Sequence, residues 1–221
     1  MRIALAVASV LVLLGTGCVE RVPEDAAGND ASSVPAVAMY KSAPATPALS
    51  CTIYGGGTCE LGSVPKVTVA ITNQTDAGIY LVGSLDGSGW KGRYPHCYFE
   101  VTGPDGKSAV PEIILEDPFC SPLREKDFVK VLPGEMFDPY DQSAGFFPAL
   151  QLDPFVFRTP GAYRVRFVYS TMSDSIALWR NGGWEGVPAD ERPKILALFA
   201  RVPKLEVRSN ELTVTVVAVG K

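Results

Sequence analysis

His96 is the only histidine in a chain of 221 residues, so acid–base chemistry near neutral pH would have to start from it. A serine nucleophile relay needs a serine and an orienting carboxylate around that imidazole. His96 instead stands between Pro95 and Cys97, and neither a GxSxG turn nor a phosphate-cradling glycine loop before a helix occurs. Glu116 and Asp117 are adjacent. On a strand they would face opposite ways and could not share a substrate. These residues point away from an enzyme.

Recognition is the other chemistry that the side chains offer. Trp179, Arg180 and Trp184 crowd into six residues, and Trp90 lies in the glycine-rich stretch 86–92 with Tyr94 and His96 close behind. Tryptophan and arginine on a loop held by a rigid scaffold are the usual material of a binding hot spot. The same rings would also cap the ends of a core. The formal charge is −4, with no basic cluster, which argues against a nucleic-acid surface.

The elements that must position these residues are strands. Residues 159–171 read Thr-Pro-Gly-Ala-Tyr-Arg-Val-Arg-Phe-Val-Tyr-Ser-Thr, with Tyr163, Val165, Phe167 and Tyr169 on one face. Arg164, Arg166, Val168 and Ser170 take the other, the two-residue period of a half-buried strand. Similar runs at 66–72, 79–85, 94–101, 109–115, 127–132 and 209–217 make about seven or eight strands, punctuated by turns such as Pro104-Asp105-Gly106 and Pro133-Gly134. Residues 142–157 are irregular and aromatic. Between the last two strands lies an insertion, 172–208, with one expected helix at 189–202. There Ile195, Leu198, Phe199 and Val202 fall on one face, and Asp190 and Glu191 favour its amino end. That face is expected to pack on the sheet edge.

The amino terminus has a different character. Arg2 precedes the apolar run 3–14, which is too short to span a bilayer but suits the core of a secretory signal peptide. Leu14-Gly15-Thr16-Gly17-Cys18 follows, and it resembles the lipobox of bacterial lipoproteins, with Gly15 where the family usually has leucine. The resemblance implies that 1–17 is removed and that Cys18 carries the lipid anchoring the protein to a membrane. With Val19 rather than aspartate after the cysteine, it implies the outer membrane. Each buried methylene of such an anchor contributes about 0.8 kcal/mol. Removing the leader leaves 19 Lys and Arg against 24 Asp and Glu. Residues 18–48, rich in Ala, Pro and Ser without periodicity, read as the lipidated cysteine and a disordered tether, and 49–221 as the folded domain.

Four cysteines remain in that exported domain, Cys51, Cys59, Cys97 and Cys120, and an even number reads as disulfides. Three pairings are possible. Proximity favours Cys51–Cys59, whose three intervening glycines permit a tight reversal, with Cys97–Cys120. On the loop-entropy model these closures contribute about 2.5 and 3.5 kcal/mol. Zinc would need a CxxC spacing or further histidines, so no metal or cofactor is expected. Asn73-Gln74-Thr75 spells a glycosylation sequon, read as a chance match in a bacterial lipoprotein.

From residue 61 to 217 the pattern resembles the immunoglobulin-like and fibronectin-III-like domains of bacterial surface proteins. The resemblance is carried by the Pro160-Gly161-Ala162-Tyr163 corner and the closing run Ser209-Asn210-Glu211-Leu212-Thr213-Val214. It implies an all-β Greek-key sandwich with a helical insertion before the last strand, and it transfers no activity. The expected role is a lipid-anchored, non-catalytic envelope module that binds a protein. The alternatives are a glycan or peptidoglycan binder stacking saccharides on Trp90, Trp179 and Trp184, and a proteinase inhibitor.

Overall fold

The run with the cleanest alternation becomes the longest strand in the computed structural model, β8 (Gly161–Ser170). The structure describes residues 48–83, 87–110, 121–139, 152–153, 155–180 and 183–219, all within one unit, Pro44–Lys221. Tyr163, Val165, Phe167 and Tyr169 are buried as the period requires. Val168 and Ser170, on the opposite face, are buried as well, with Tyr98 directly across from Val168. The Tyr163 hydroxyl donates to Thr159 O (3.0 Å) and accepts from Thr159 N (3.1 Å), fastening the corner that starts the strand.

Two sheets share one core. In the first, β2 (Gly57–Glu60), β10 (Leu212–Val217), β8 and β5 (His96–Thr102) lie in that order, and β9 (Glu206–Arg208) also pairs with β8. In the second the order is β1 (Leu49–Gly55), β3 (Val67–Asn73), β7 (Met136–Phe137). Leu49, Ile53, Val69, Ile71 and Phe137 from the second sheet pack with Phe99, Val101, Phe167, Tyr169, Val214 and Val216 from the first. The described chain is thus mostly β, compatible with an all-β sandwich. A separate pair, β4 (Ile79–Val82) with β6 (Phe128–Val131), stands beside these sheets. The Tyr169 hydroxyl joins it to β8, accepting from Val82 N at 3.1 Å and donating to Val82 O at 3.3 Å.

Asn73 ends β3 and is 1% exposed, so the sequon it begins is occupied by a structural residue. Its Nδ2 donates to Ala77 O (2.8 Å) and Val131 O (3.0 Å), while Oδ1 accepts from Thr75 N (2.9 Å). One amide therefore ties the β3–β4 turn to the end of β6. We expect Asn73→Ala to lower the unfolding free energy by about 2 kcal/mol, because two carbonyls lose their donor in a buried place. Urea denaturation reads this directly.

Several sequence expectations change. The Cys51–Cys59 staple is absent, and both residues are free thiols. The three glycines carry the chain from one sheet to the other instead of folding it back: β1 runs antiparallel to β3, whereas β2 runs parallel to β10. Each cysteine is thereby assigned to a different sheet, and burial pushes the Cys51 thiol up to about 12. Of the other pair, Cys97 is buried and Cys120 lies outside the described residues. So do Cys18, Glu116, Asp117 and residues 1–47. Ala109 and Val110 are not in a strand. Among the described residues a bridge from Thr102 to Ser108 and the Ala109 N to Val101 O hydrogen bond (2.8 Å) close that hairpin, and 111–115 lie outside the described residues.

Among its described residues the insertion holds two helices rather than one, α1 (Ile176–Arg180) and α2 (Arg192–Phe199). Pro193 sits in the first turn of α2, where its missing N–H costs nothing. Ile195 and Val202 are buried, and with Trp179, Val187 and Leu123 they form a second core on Val82 and Phe128 of β4 and β6. The apolar face of the helix thus packs against sheet, as its periodicity implied. Thr171 pinches the base of the excursion shut, its hydroxyl donating to Pro203 O (2.5 Å) and accepting from Leu205 N (3.2 Å).

Candidate functional site

Five residues of helix are enough to place Trp179 and Arg180 side by side facing inward, 0% and 7% exposed. Trp179 is a core side chain. Its Nε1 donates to Ser173 O at 2.9 Å, Phe199 meets its ring edge-on at 5.2 Å, and Tyr94 stacks beside it at 6.0 Å. Of the two readings of Trp179, hot spot or core cap, the structure places it in a core, because the short helix turns it onto the β4–β6 pair. The stack continues outward from Tyr94 to His96 at 3.9 Å. At the other end the Lys204 ammonium lies 3.5 Å from the Phe199 centroid and 4.6 Å from that of Trp179. Burial lowers the Lys204 pKa, against the pull of Asp174.

Arg180 and Trp184 make a second array. The guanidinium carbon of Arg180 is 3.3 Å from the Trp184 ring centroid, and that of Arg192 is 5.7 Å from it. Arg192 donates to Val187 O and Trp184 O at 3.4–3.5 Å. Arg180 has its Nε and Nη2 enclosed with no hydrogen-bond partner. Burial lowers its pKa, Glu185 opposes that, and Arg192 adds to it. Trp184 is half-buried, with Arg180 packed on its ring. Trp90 belongs to the turn at 87–92, half-buried, and no ring contact joins it to Trp179 or Trp184. The structure thus brings Arg180 and Trp184 together, buries Trp179 and leaves Trp90 apart. Arg192 and Lys204 completed these arrays without any signal in the sequence pattern. Among the described residues, a groove of about 790 Å3 lies elsewhere, lined by Pro104, Asp105, Phe155, Arg158 and Tyr163 among others.

His96 is half-buried at the start of β5, opposite Ser170, which in turn is opposite Glu206. A nucleophile relay has its histidine in the middle, whereas here the serine is. Among the described residues no group of three or more His, Cys, Asp or Glu is placed to hold a metal ion. The His96 pKa is lowered from 6.5, first by burial and then by Lys91, with Glu206 opposing. Its folded value is below the unfolded one, so the stability tied to the neutral ring is complete above about pH 6.5. It is lost as pH falls from there through the folded pKa. We expect His96→Gln to flatten the pH dependence of the urea midpoint between pH 7 and 5. An unchanged slope would remove His96 as its source.

Fold and site together describe a mostly β module with a two-helix excursion pinned at its base. No family model, no curated protein and no solved structure matches the chain.

Proposed function

We propose that the protein is a lipid-anchored, non-catalytic module of the cell envelope, most suited to the outer membrane, that binds another protein. The leader and Cys18 support the anchor, and the residues up to 48 serve as its tether. We read the domain as an immunoglobulin-like Greek-key sandwich. Support comes from the strand orders β1-β3-β7 and β2-β10-β8-β5, in which a first strand splits between the sheets, and from the tyrosine corner at Tyr163.

One observation carries the binding role: a guanidinium with unmet donors, Arg180, packed on a half-buried tryptophan in an insertion latched to rigid sheet. Arginine and tryptophan are the residues most enriched where binding energy concentrates. The glycan alternative keeps only Trp90 of its three platforms, since Trp179 is buried and Arg180 lies on the Trp184 ring.

The test has two arms. Labelling cells with an alkynyl palmitate should mark the wild type and not Cys18→Ser. Crosslinking in intact cells should capture a specific partner with the wild type and lose it with Trp184→Ala. An unlabelled wild type sinks the anchor, and no specific partner sinks the binding role.

A further inference from the structure

Arg180 poses a physical problem that the rest of the fold does not solve. The residue is 7% exposed, and its Nε and Nη2 donors are closed off with no hydrogen-bond partner. Those two N–H groups lie on one edge of the guanidinium, the edge that grips a carboxylate through two parallel hydrogen bonds. Trp184 packs on the face of the same group, and contact with the face leaves the edge unsatisfied. The chain has a carboxylate in electrostatic range, that of Glu185, yet it does not take the edge. It packs instead against Gly183, where an added Cβ would overlap it. A buried charged donor edge that the neighbouring acid does not take calls for an acceptor.

We propose that this edge of Arg180 is the seat for a carboxylate side chain of an acidic segment in a partner protein, with Trp184 kept on the face of the guanidinium. The inference rests on the protein-binding reading above. A carboxylate fits better than a phosphate, because the Nε and Nη2 edge of Arg192, the other guanidinium on that indole, is committed to Val187 O and Trp184 O. One guanidinium edge matches one carboxylate. A uronic acid would instead want an open aromatic face, and Arg180 is packed on that of Trp184.

The test follows the Arg180 Nε–H signal by NMR in the 15N-labelled full-length chain, assigned by its loss in Arg180→Lys. The probes are an acetylated and amidated Leu-Glu-Leu-Asp-Leu peptide, its Leu-Gln-Leu-Asn-Leu counterpart, trigalacturonate and inorganic phosphate. The acidic peptide should move the signal downfield to saturation, and the neutral peptide should not. Arg180→Lys should weaken that peptide at least tenfold with its thermal midpoint retained, since an ammonium cannot present the fork. No shift with the acidic peptide, or Arg180→Lys binding it as tightly as wild type, overturns the proposal. Tighter binding of trigalacturonate or phosphate than of the peptide overturns it too. If Arg180→Lys fails to fold, the wild-type signal alone decides. A cellular partner still captured by a folded Arg180→Lys sinks this inference and leaves protein binding standing, whereas no captured partner sinks both.

Discussion

Trp179→Ala is expected to lower the unfolding free energy by about 4 kcal/mol, a loss typical of deleting a large ring from a packed core. The indole is 0% exposed and sits where α1, α2 and the β4–β6 pair meet. Its removal leaves Phe199 without its edge contact, Ser173 O without a donor, and the Lys204 ammonium without one of its two rings. No neighbour replaces it, because β4 and β6 are held in their ladder by four paired residues each. Circular dichroism in urea is the measurement, since it needs no tryptophan signal. An unchanged midpoint would mean that the second core does not depend on Trp179. Trp184→Ala, at a half-buried ring, should cost only about 1 kcal/mol. Binding experiments therefore belong on Trp184, where loss of a partner is not confused with loss of the fold.

Gly55→Ala should be the most damaging change of one methyl group, lowering stability by about 3 kcal/mol. Gly55 has φ 97°, which side chains rarely adopt, and a Cβ there would overlap the backbone oxygen of Lys66. That oxygen cannot retreat, since it accepts from Gly56 N at 2.9 Å while the adjoining β1–β3 register pairs Gly55 with Val67. The chain must then release either the ladder or the crossing into β2. Gly57 is the control: its φ is 75° but an added Cβ meets nothing within 4 Å, so Gly57→Ala should cost about 1 kcal/mol. Comparable urea midpoints for the two variants would deny that the close approach at Gly55 matters.

What the sequence alone decided is what depends on local periodicity and on stiff residues. Tyr163, Val165, Phe167 and Tyr169 were legible as one buried face because a strand alternates whatever it packs against. The corner at Pro160-Gly161 and the apolar stripe of α2 were legible for the same reason, as was the hairpin turn at Pro104. The tertiary structure decided everything that depends on which element lies next to which. Three glycines between Cys51 and Cys59 permit a reversal or a crossing equally well, and only the partners β3 and β10 select the crossing, which separates the two thiols. Trp179 and Trp184 look alike in a row of residues, yet α1 drives the first into a core and leaves the second half-buried under Arg180. The candidate site is of this second kind. Arg180 became notable only when burial removed its water and packing supplied a ring but no acceptor, because desolvation acts on a side chain through its neighbours in space.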